Sequence, residues 1–541
     1  MQEFDVLVIG GGASGLRAAI AAKRAGAAVA LVTKVHPLRT NTGVAQGGLN
    51  APFGKEDSSE RFAEDTLLAG DGLSEPELVR ILTQGAAEEA VWLERMGVPF
   101  NRDGEGRLDR RRFGANSQPR TCYADDRTGH IVLQVLHEQF LRAEIPSFEE
   151  WYVTSLAVED GTCLGVIGLG MRSGKLEGFA ARAVILATGG FTRLYLPSTA
   201  SLGTTGDGLS LALSAGGRLR DMEMVQFHPT VVPKNPGLLI TEAVLGEGAE
   251  LVDANGGTIA GSKAVPREKL CGSIMDTIEN GGGSVFLDLR PIGKEKLSSR
   301  FPQTCELLRT VAGLDAAKDP IAIQPAAHRP MGGIEINGQG ETALAGLFAV
   351  GECASSGVHG AGRLAGNTLT EAVVFGRRVG EAAARYAASA PKRSFPAPKL
   401  SDEERRLGAL TSKNSASDSL GKIHGELGRL MNEKVGLARN QTGLKEAQDR
   451  LQHLKERHQR LRVGDTSRIY NYQLTAYLEL GSMLSLAEVV VLAAQARTES
   501  RGAHRRTDFP ERNDENWRRH ISVSLVDGGP KLQHKPVGIP G

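Results

Sequence analysis

The first 33 residues constrain the fold most strongly, because they carry a complete β-α-β pattern. Phe4–Ile9 is typical of a buried strand, an alanine-rich helix is expected to about Ala25, and Val29–Thr33 is typical of a second strand. Gly10-Gly-Gly-Ala-Ser-Gly15, between the first strand and the helix, has the G-x-G-x-x-G spacing. Such glycines permit a tight turn and let a pyrophosphate approach the helix N-terminus. The sequence therefore predicts a dinucleotide-binding domain.

The residues after the second strand disfavour a nicotinamide cofactor. A site for NAD usually has an acidic residue there, which holds the ribose hydroxyls. This chain has Thr33 and Lys34 at that place. The dinucleotide is therefore expected to be of another kind.

Further strand patterns indicate that this domain is split. Ala183–Gly190 and Ala345–Glu352 are apolar runs that end in a turn, as strands of the same sheet would. With 541 residues, the chain is too long for one core. The fold class expected is α/β, with a split Rossmann-like dinucleotide-binding domain at 1–225 and 330–395 and an inserted α+β capping domain at 226–329.

The C-terminal part has a different pattern. Apolar residues recur there at helical spacing between dense charges, at Leu444, Ala447, Leu451, Leu454 and Leu461. This spacing is typical of amphipathic helices that pack together. We expect a C-terminal helical domain at 400–507. An extended tail is expected at 508–541, where proline and charge are frequent.

Composition disfavours several classes of function. The net charge is +1, so bulk charge gives no sign of nucleic-acid binding. The five cysteines include no C-x-x-C pair, which argues for a reducing compartment and against an iron–sulfur cluster or zinc site within this chain. No run of 18 apolar residues occurs. We therefore expect a cytoplasmic protein that has no metal site and no nucleic-acid partner.

Five segments together resemble one family of flavoproteins. In Arg39–Ala51, two adjacent glycines follow small and polar residues, which suits a backbone that lies against a flat ligand. The other four segments are Arg120–His130, Gln226–Thr230, Ala326–Gly333 and Val358–Leu369. In order and spacing they are similar to the succinate dehydrogenase and fumarate reductase flavoprotein subunits and to the related L-aspartate oxidases. The similarity continues in Glu499–His504 and Asp508–Trp517, where it is closer to the first two.

The resemblance implies that the dinucleotide is FAD. Glu352 would accept a hydrogen bond from a ribityl hydroxyl. Thr368 and Leu369 would lie at a helix N-terminus that faces the N1/O2 edge of the flavin and stabilises negative charge there. The residues implied for FAD binding are Gly10, Gly11, Gly12, Ala13, Ser14, Gly15, Thr33, Lys34, Thr40, Asn41, Thr42, Ala45, Gln46, Gly47, Gly48, Asp207, Glu352, Thr368 and Leu369.

One position of the flavin-facing loop departs from the family. The resembling proteins usually have a histidine there that carries a covalent bond to FAD, whereas this chain has Asn41. An amide cannot make that bond, so FAD is expected to be held without a covalent link. Losing the alkylated flavin position should lower the flavin potential, which favours fumarate reduction over succinate oxidation.

The resemblance also implies four substrate-binding residues. Succinate and fumarate carry a carboxylate at each end, and arginine suits a planar carboxylate because its guanidinium offers two parallel donors. Arg363 and His328 would hold one carboxylate, and His228 and Thr241 would hold the other. The role of His359 stays open between contact with the site and support of its neighbours.

Proton transfer is implied for Arg267 and Glu242. In the family an arginine within an Arg-Asp motif exchanges the proton, and Arg267 is the matching residue. Its pKa above about 12 would not suggest this role without the resemblance. The family's relay has a second arginine where this chain has Leu245, and a water or Arg329 is the alternative there. Gly362 replaces a family asparagine close to the substrate.

The function expected is that of an FAD-dependent oxidoreductase, the flavoprotein subunit of a succinate dehydrogenase/fumarate reductase. Electrons would pass to or from an iron–sulfur partner chain, because this chain has no cluster ligands. Partner subunits, with or without a membrane anchor, would leave it cytoplasmic or peripheral on the cytoplasmic face of the inner membrane. Two alternatives stay open. One is an L-aspartate oxidase that makes iminoaspartate and hydrogen peroxide. The other is a flavin-bearing electron-transfer or assembly subunit whose catalysis is impaired by Leu245 and Gly362.

Overall fold

The fold is organised by one large mixed sheet. This computed structural model describes residues 1–233, 237–259, 266–281, 283–411 and 418–538. The strands are β1 (Gln2–Ile9), β2 (Val29–Thr33), β3 (Leu49–Asn50), β4 (Arg110–Arg111), β5 (Thr121–Cys122), β6 (Ser147–Glu149), β7 (Trp151–Glu159), β8 (Thr162–Gly170), β9 (Leu176–Leu186), β10 (Leu219–Arg220), β11 (Val225–Val231), β12 (Glu250–Val252), β13 (Val285–Asp288), β14 (Ile321–Pro330), β15 (Gly333–Glu335), β16 (Leu347–Ala349), β17 (Ala354–Ser355), β18 (Arg519–Val526) and β19 (Gly529–Pro536). The helices are α1 (Ala13–Arg24), α2 (Ser59–Ala69), α3 (Pro76–Met96), α4 (Thr128–Arg142), α5 (Asp207–Ser214), α6 (Ala243–Gly246), α7 (Arg267–Gly281), α8 (Lys294–Arg300), α9 (Pro302–Leu307), α10 (Asn367–Ser389), α11 (Ala397–Leu410), α12 (Leu420–Val435), α13 (Gln441–Arg460), α14 (Tyr472–Ala496) and α15 (Asp514–Trp517).

The main sheet has the strand order β6-β2-β1-β9-β8-β7, and β16 pairs with the end of β9. The strands β6, β2, β1, β9 and β16 pair in parallel, whereas β7, β8 and β9 form an antiparallel meander. This order confirms the predicted Rossmann-like α/β fold. Strand β9 begins at Leu176, before the predicted Ala183, because its first residues pair with β8.

Alternate residues of β1 fill two cores, one on each face of the sheet. Leu7 and Ile9 pack into one core, and Val6 and Val8 pack into the other. Helices α1 and α10 cover the second core and cross closely. A Cβ atom on Gly380 of α10 would lie 2.2 Å from the carbonyl oxygen of Ala18, so this crossing requires a glycine.

A second sheet lies in the segment predicted as the inserted domain. Its antiparallel order is β11-β14-β13-β12. It has an apolar core of its own, which includes Leu251, Ile274, Leu287 and Ile323. The domain limits at 225/226 and 329/330 stay a prediction.

Helices α11 to α14 occupy the region predicted to be helical, and the five apolar residues from Leu444 to Leu461 are buried there. Within the described part of the chain, one helix, α14, is long enough and apolar enough to cross a membrane. More than half of its apolar window is buried in the protein, where α14 packs against α5, α12 and α13. These contacts describe a core helix.

The segment 508–541 differs from the expected extended tail. It contains α15 and the hairpin β18–β19, which joins β10, β15 and β17 in one sheet. Leu219 of β10 pairs with Val523 of β18, and Ile521 and Val523 are buried. The pairing partner of the hairpin, β10, lies about 300 residues earlier in the chain. The segment itself is rich in charge and proline, so no local pattern indicated a strand there.

A buried imidazole attaches this hairpin to the rest of the protein. His520 of β18 contacts Asp221 through Nδ1 and Glu75 through Nε2, the latter at 2.9 Å. Burial alone would lower the pKa of His520, but the two carboxylates outweigh it and raise the pKa above its ordinary value. The pKa values of Asp221 and Glu75 are lowered, because His520 outweighs their burial.

We expect His520→Gln to lower the free energy of unfolding by roughly 3–5 kcal/mol near pH 6, since it breaks buried ion pairs. A raised imidazole pKa stabilises the fold below about pH 6.5 and loses that contribution as pH rises through the folded-state pKa. The deficit of the variant should therefore shrink by pH 9. Thermal midpoints of both proteins at pH 6 and pH 9 test this, with His453→Gln as the exposed control. A deficit that is equal at both pH values would contradict it.

Candidate active site

One cavity of about 910 Å³ collects nearly all of the predicted site residues. It lies at the C-terminal ends of β1 and β2 and extends to β11, β14 and the start of α10. Of the 19 residues implied for FAD, Ala13 and Gly15 are outside its lining and the other 17 are in it. The six residues implied for substrate binding and proton transfer also line it, namely His228, Thr241, Glu242, Arg267, His328 and Arg363.

The turn between β1 and α1 depends on close backbone contacts. Gly10 has a φ of +110°, and a Cβ atom there would lie 2.3 Å from the carbonyl oxygen of Ala187. A Cβ atom on Gly15 would lie 2.0 Å from the carbonyl oxygen of Gly10. This close approach explains why position 15 is a glycine although it does not line the cavity. Helix α1 begins after Gly12 without a side-chain cap or an acidic residue in its first turn. This helix N-terminus suits an anion such as a pyrophosphate.

Lys34 connects the cavity to the C-terminal helices. Its Nζ donates to Asp207 Oδ2 at 2.7 Å and to Glu479 Oε1 of α14 at 2.6 Å. Burial lowers the pKa of Lys34, but the two carboxylates outweigh burial, so the pKa is raised and the ammonium stays charged. The end of β2 thus receives acidic partners from distant parts of the chain.

The loop within Arg39–Ala51 lines the cavity and is held by its own side chains. Thr42 Oγ1 accepts a hydrogen bond from the Ala13 N–H at 3.1 Å, and Asn41 Oδ1 accepts one from the Ser201 N–H at 3.0 Å. Asn41 therefore presents a fixed amide to the cavity, at the place where the family has a nucleophilic ring nitrogen.

Several buried polar atoms of the cavity have no hydrogen-bond partner among the described residues. They are Gln46 Oε1, Thr188 Oγ1, Gln303 Oε1, Glu352 Oε1, Arg363 Nε and Thr368 Oγ1. A buried polar group without a partner is costly, so such a set indicates that a ligand supplies the missing bonds. The mixture of donors and acceptors fits the ribityl and ring polar groups of FAD together with a carboxylate.

Two neutral histidines face each other in the cavity, with ring centroids 4.9 Å apart. Burial lowers the pKa of His228 to about 3 and the pKa of His328 well below its ordinary value. Nδ1 of His228 accepts from the Thr230 N–H at 3.3 Å, so the neutral ring carries its proton on Nε2, 3.7 Å from Glu242 Oε2. Nδ1 of His328 lies 2.7 Å from Thr199 Oγ1.

Arg267 is held between a carboxylate and an amide. Its Nη2 donates to Glu242 Oε2, and its Nη1 donates to Gln226 Oε1 at 2.7 Å. Burial would raise the pKa of Glu242, but Arg267 outweighs it and lowers the pKa. Burial would lower the pKa of Arg267, but Glu242 outweighs it and raises the pKa. Both groups are therefore charged at neutral pH.

Arg363 is a buried cation without a carboxylate partner in the described part of the chain. It is 8% exposed, and its Nη1 donates to the carbonyl oxygen of Leu364 at 3.2 Å. Burial lowers its pKa well below the ordinary value, and the charges of Arg267 and Arg329 lower it further. A bound anion would offset both effects.

Two residues that the sequence suggested for the site already contact carboxylates of the protein. Arg329 lines the cavity, but its Nη1 contacts Glu352 Oε2, so it is not a free base. His359 is outside the lining, and its Nε2 lies 2.8 Å from Glu371 Oε2 of α10.

The two departures from the family at Leu245 and Gly362 fit their surroundings. Leu245 is buried in the apolar core of the second sheet. A Cβ atom on Gly362 would lie 2.6 Å from the carbonyl oxygen of Ala69, so the backbone here leaves no room for a side chain.

Sequence reasoning did not assign roles to Thr199 and Gln226. Thr199 reaches His328 because Ser198 bridges to Ala327 of β14, a non-local pairing with no sequence signal. Gln226 lies two residues before His228 on β11, so strand alternation offered a signal for it.

Two histidines and a glutamate form a group that could hold a metal ion. Among the described residues, ligand atoms of His36, His137 and Glu149 lie within 4.8 Å of one another. Nδ1 of His36 already accepts from the Leu38 N–H at 3.3 Å, which leaves the ring proton on Nε2, 4.0 Å from Glu149. We therefore assign no metal role to the group.

Comparison with known proteins identifies the class. A family model described as "FAD binding domain" matches residues 5–369, and one described as "Fumarate reductase flavoprotein C-term" matches residues 424–540. Together with the sheet and the cavity, they define an FAD-binding oxidoreductase.

Relatives then identify the family. The fumarate reductase flavoprotein subunit of Haemophilus influenzae is 39% identical, over 99% of this chain and 94% of the relative. The succinate dehydrogenase flavoprotein subunit of Rickettsia conorii is 36% identical, over 99% and 95%. A solved chain of Escherichia coli quinol fumarate reductase is 38% identical and superposes with a TM-score of 0.95, covering 100% of this chain and 99% of that one. The chain belongs to the family of fumarate reductase and succinate dehydrogenase flavoprotein subunits.

Proposed function

We propose that this chain interconverts fumarate and succinate, and that fumarate reduction is its favoured direction. The observation that carries the proposal is Arg363, a buried guanidinium with an unpartnered Nε and no ion pair to a carboxylate among the described residues. A dianionic substrate would supply both the missing negative charge and the missing acceptor. The names of the two relatives agree with this substrate class.

The cavity offers one set of donors for each end of a dicarboxylate. We assign Arg363 and His328 to one carboxylate, and His228 and Thr241 to the other. The histidines are neutral because burial lowers their pKa values. A neutral imidazole N–H costs less desolvation than a second full charge would, and it still donates a directed hydrogen bond.

Bound FAD would supply hydride transfer to one carbon of the substrate. Arg267 is proposed to give a proton to the neighbouring carbon, with one guanidinium N–H bond breaking as the C–H bond forms. Glu242 contacts the same guanidinium, and its side chain is 13% exposed. It is therefore the group proposed to return the proton from solvent, since Leu245 cannot relay one.

The electron partner is proposed to be a separate iron–sulfur chain. The five cysteines of this chain are free, and among the described residues none of them belongs to a group of three or more ligand atoms that could hold a metal. We propose that such a partner, with or without a membrane anchor, places the chain at the cytoplasmic face of the inner membrane. A solved relative with TM-score 0.95 is described as a quinol-fumarate reductase with menaquinol.

We expect FAD to leave the protein on acid precipitation, because the Asn41 amide cannot form the family's covalent bond. The yellow colour should appear in the supernatant and not in the pellet. Asn41→His is the informative variant, because it alone restores a ring nitrogen at this position. A yellow pellet from the unmodified protein would contradict non-covalent attachment.

Three assays run side by side test the proposed function. They are fumarate with a reduced dye, succinate with an oxidised dye, and aspartate with oxygen. We expect turnover in the first two, faster in the first. Peroxide from aspartate, with no turnover of the dicarboxylates, would overturn the proposal in favour of an aspartate oxidase. Absence of turnover in all three would favour a non-catalytic flavin subunit.

A further inference from the structure

Glu268, the residue after Arg267, is a partly buried carboxylate that the proposed mechanism does not use. Its Oε1 accepts from Gln226 Nε2 at 2.6 Å. The carboxylate also lies against the backbone of Gly362, where a Cβ atom would be 3.3 Å from Oε1. It is therefore confined between β11 and the segment that carries Arg363.

The amide of Gln226 can take one orientation. Its Nε2 donates to Glu268 and to the carbonyl oxygen of Arg363, the latter at 3.1 Å, and both partners accept only. The Oε1 atom must then face Arg267, whose Nη1 donates to it at 2.7 Å. Glu268 thus fixes the acceptor that holds one side of the Arg267 guanidinium, while Glu242 holds the other.

The charges around Glu268 support the same role. Burial raises the pKa of Glu268, although the hydrogen bond from Gln226 and the charge of Arg267 lower it. The titratable groups that interact with it are Arg267, Glu242, Arg363 and the Cys271 thiol. In its charged form Glu268 raises the pKa of Arg267 and of Arg363, and so opposes the repulsion between these two cations.

We propose that Glu268 is a positioning residue, which acts through Gln226 to hold Arg267 in the orientation needed to deliver a proton. This inference rests on the proposed function, because it assigns the role within that reaction. It adds a second carboxylate to the site, on the side of Arg267 opposite Glu242.

The test compares Glu268→Leu, which removes the acceptor, with Glu268→Gln, which removes only the charge. We expect kcat for fumarate reduction to fall roughly 10- to 100-fold in Glu268→Leu, since a displacement of about 1 Å can cost about 10²-fold. KM should change less than threefold. Glu279→Gln, an exposed glutamate on the same helix, is the matched control. Flavin absorbance and the thermal midpoint check that each variant is folded.

Two further readouts separate positioning from a general structural role. In the unmodified enzyme, kcat should fall on acidification toward the kcat of Glu268→Gln as Glu268 is protonated. This acid limb lies at higher pH than the limb of Glu242, because burial raises the pKa of Glu268 whereas Arg267 lowers the pKa of Glu242. Glu268→Gln should lack the limb at higher pH. If Glu268 acts through Gln226, the double variant Glu268→Leu/Gln226→Leu should lose no more activity than Gln226→Leu alone.

The outcomes distinguish this inference from the proposed function. An unmodified enzyme that does not reduce fumarate overturns the proposed function and this role with it. If the unmodified enzyme is active but the Glu268 variants keep kcat within twofold of it, the inference alone is overturned. The same holds if the loss of activity in Glu268→Leu/Gln226→Leu equals the product of the losses in the two single variants. If Glu268→Leu does not fold, the pH profile of kcat in Glu268→Gln is the deciding measurement. An acid limb in that variant at the same pH as in the unmodified enzyme would overturn the positioning role.

Discussion

Replacement of Arg363 by methionine should lower kcat/KM for fumarate by roughly 10²- to 10³-fold, the expected cost of losing one partner of a buried charge pair, about 3–4 kcal/mol. The reason is the missing counter-charge. Arg39, which also lines the cavity, is exposed. Of the other three arginines there, Arg267 contacts Glu242 and Arg329 contacts Glu352, whereas Arg363 has no carboxylate partner among the described residues. The substrate is therefore expected to complete this pair, in both ground and transition states.

The same reasoning predicts that stability does not suffer. An uncompensated buried cation destabilises the fold, and its removal also relieves repulsion with Arg267 and Arg329. The thermal midpoint of Arg363→Met should therefore stay equal or rise, with flavin absorbance retained. Arg363→Lys should remain impaired, because an ammonium cannot bind a carboxylate through two parallel donors. Arg309→Met, at an exposed position, is the control. A kcat/KM within threefold of the unmodified enzyme would contradict the assignment.

Local sequence was enough to predict the dinucleotide-binding part of the fold. The β1-α1-β2 unit depends on apolar runs and on glycines that interact within the same 33 residues, so their spacing carries the information. The hairpin β18–β19 could not be predicted in the same way. Its strand is completed by β10, which lies about 300 residues earlier, and its exposed positions carry the charges that suggest a tail.

The site, too, combines residues that the sequence predicted with partners that it could not predict. The motif residues around His228, His328 and Arg363 were predicted by resemblance, and the structure brings them to one cavity. Their partners were not predictable, because each comes from a distant element. Glu479 reaches Lys34 across 445 positions, and Thr199 reaches His328 across 129. Such contacts depend on how the sheets are packed, which no local pattern encodes.

Replacement of Arg267 by glutamine should lower kcat by roughly 10²- to 10⁴-fold, the usual range for loss of a general acid. A high pKa does not exclude arginine from this role. After hydride addition the acceptor is a carbon beside a carboxylate, which is a stronger base than a neutral guanidine. Glu242 raises the pKa of Arg267 and keeps it protonated between turnovers. Steady-state assays of fumarate reduction with a reduced dye measure the loss.

The division of the loss between kcat and KM decides the role of Arg267. A group that acts mainly in the transition state lowers kcat and leaves KM nearly unchanged, whereas a group that binds the substrate raises KM. We expect the first result for Arg267→Gln, because both sides of its guanidinium already contact Glu242 and Gln226. Glu242→Gln, which keeps the shape and removes the charge, should also lower kcat, but less. An unchanged kcat with a raised KM would move Arg267 to the substrate-binding set and leave the proton donor to be found elsewhere in the cavity.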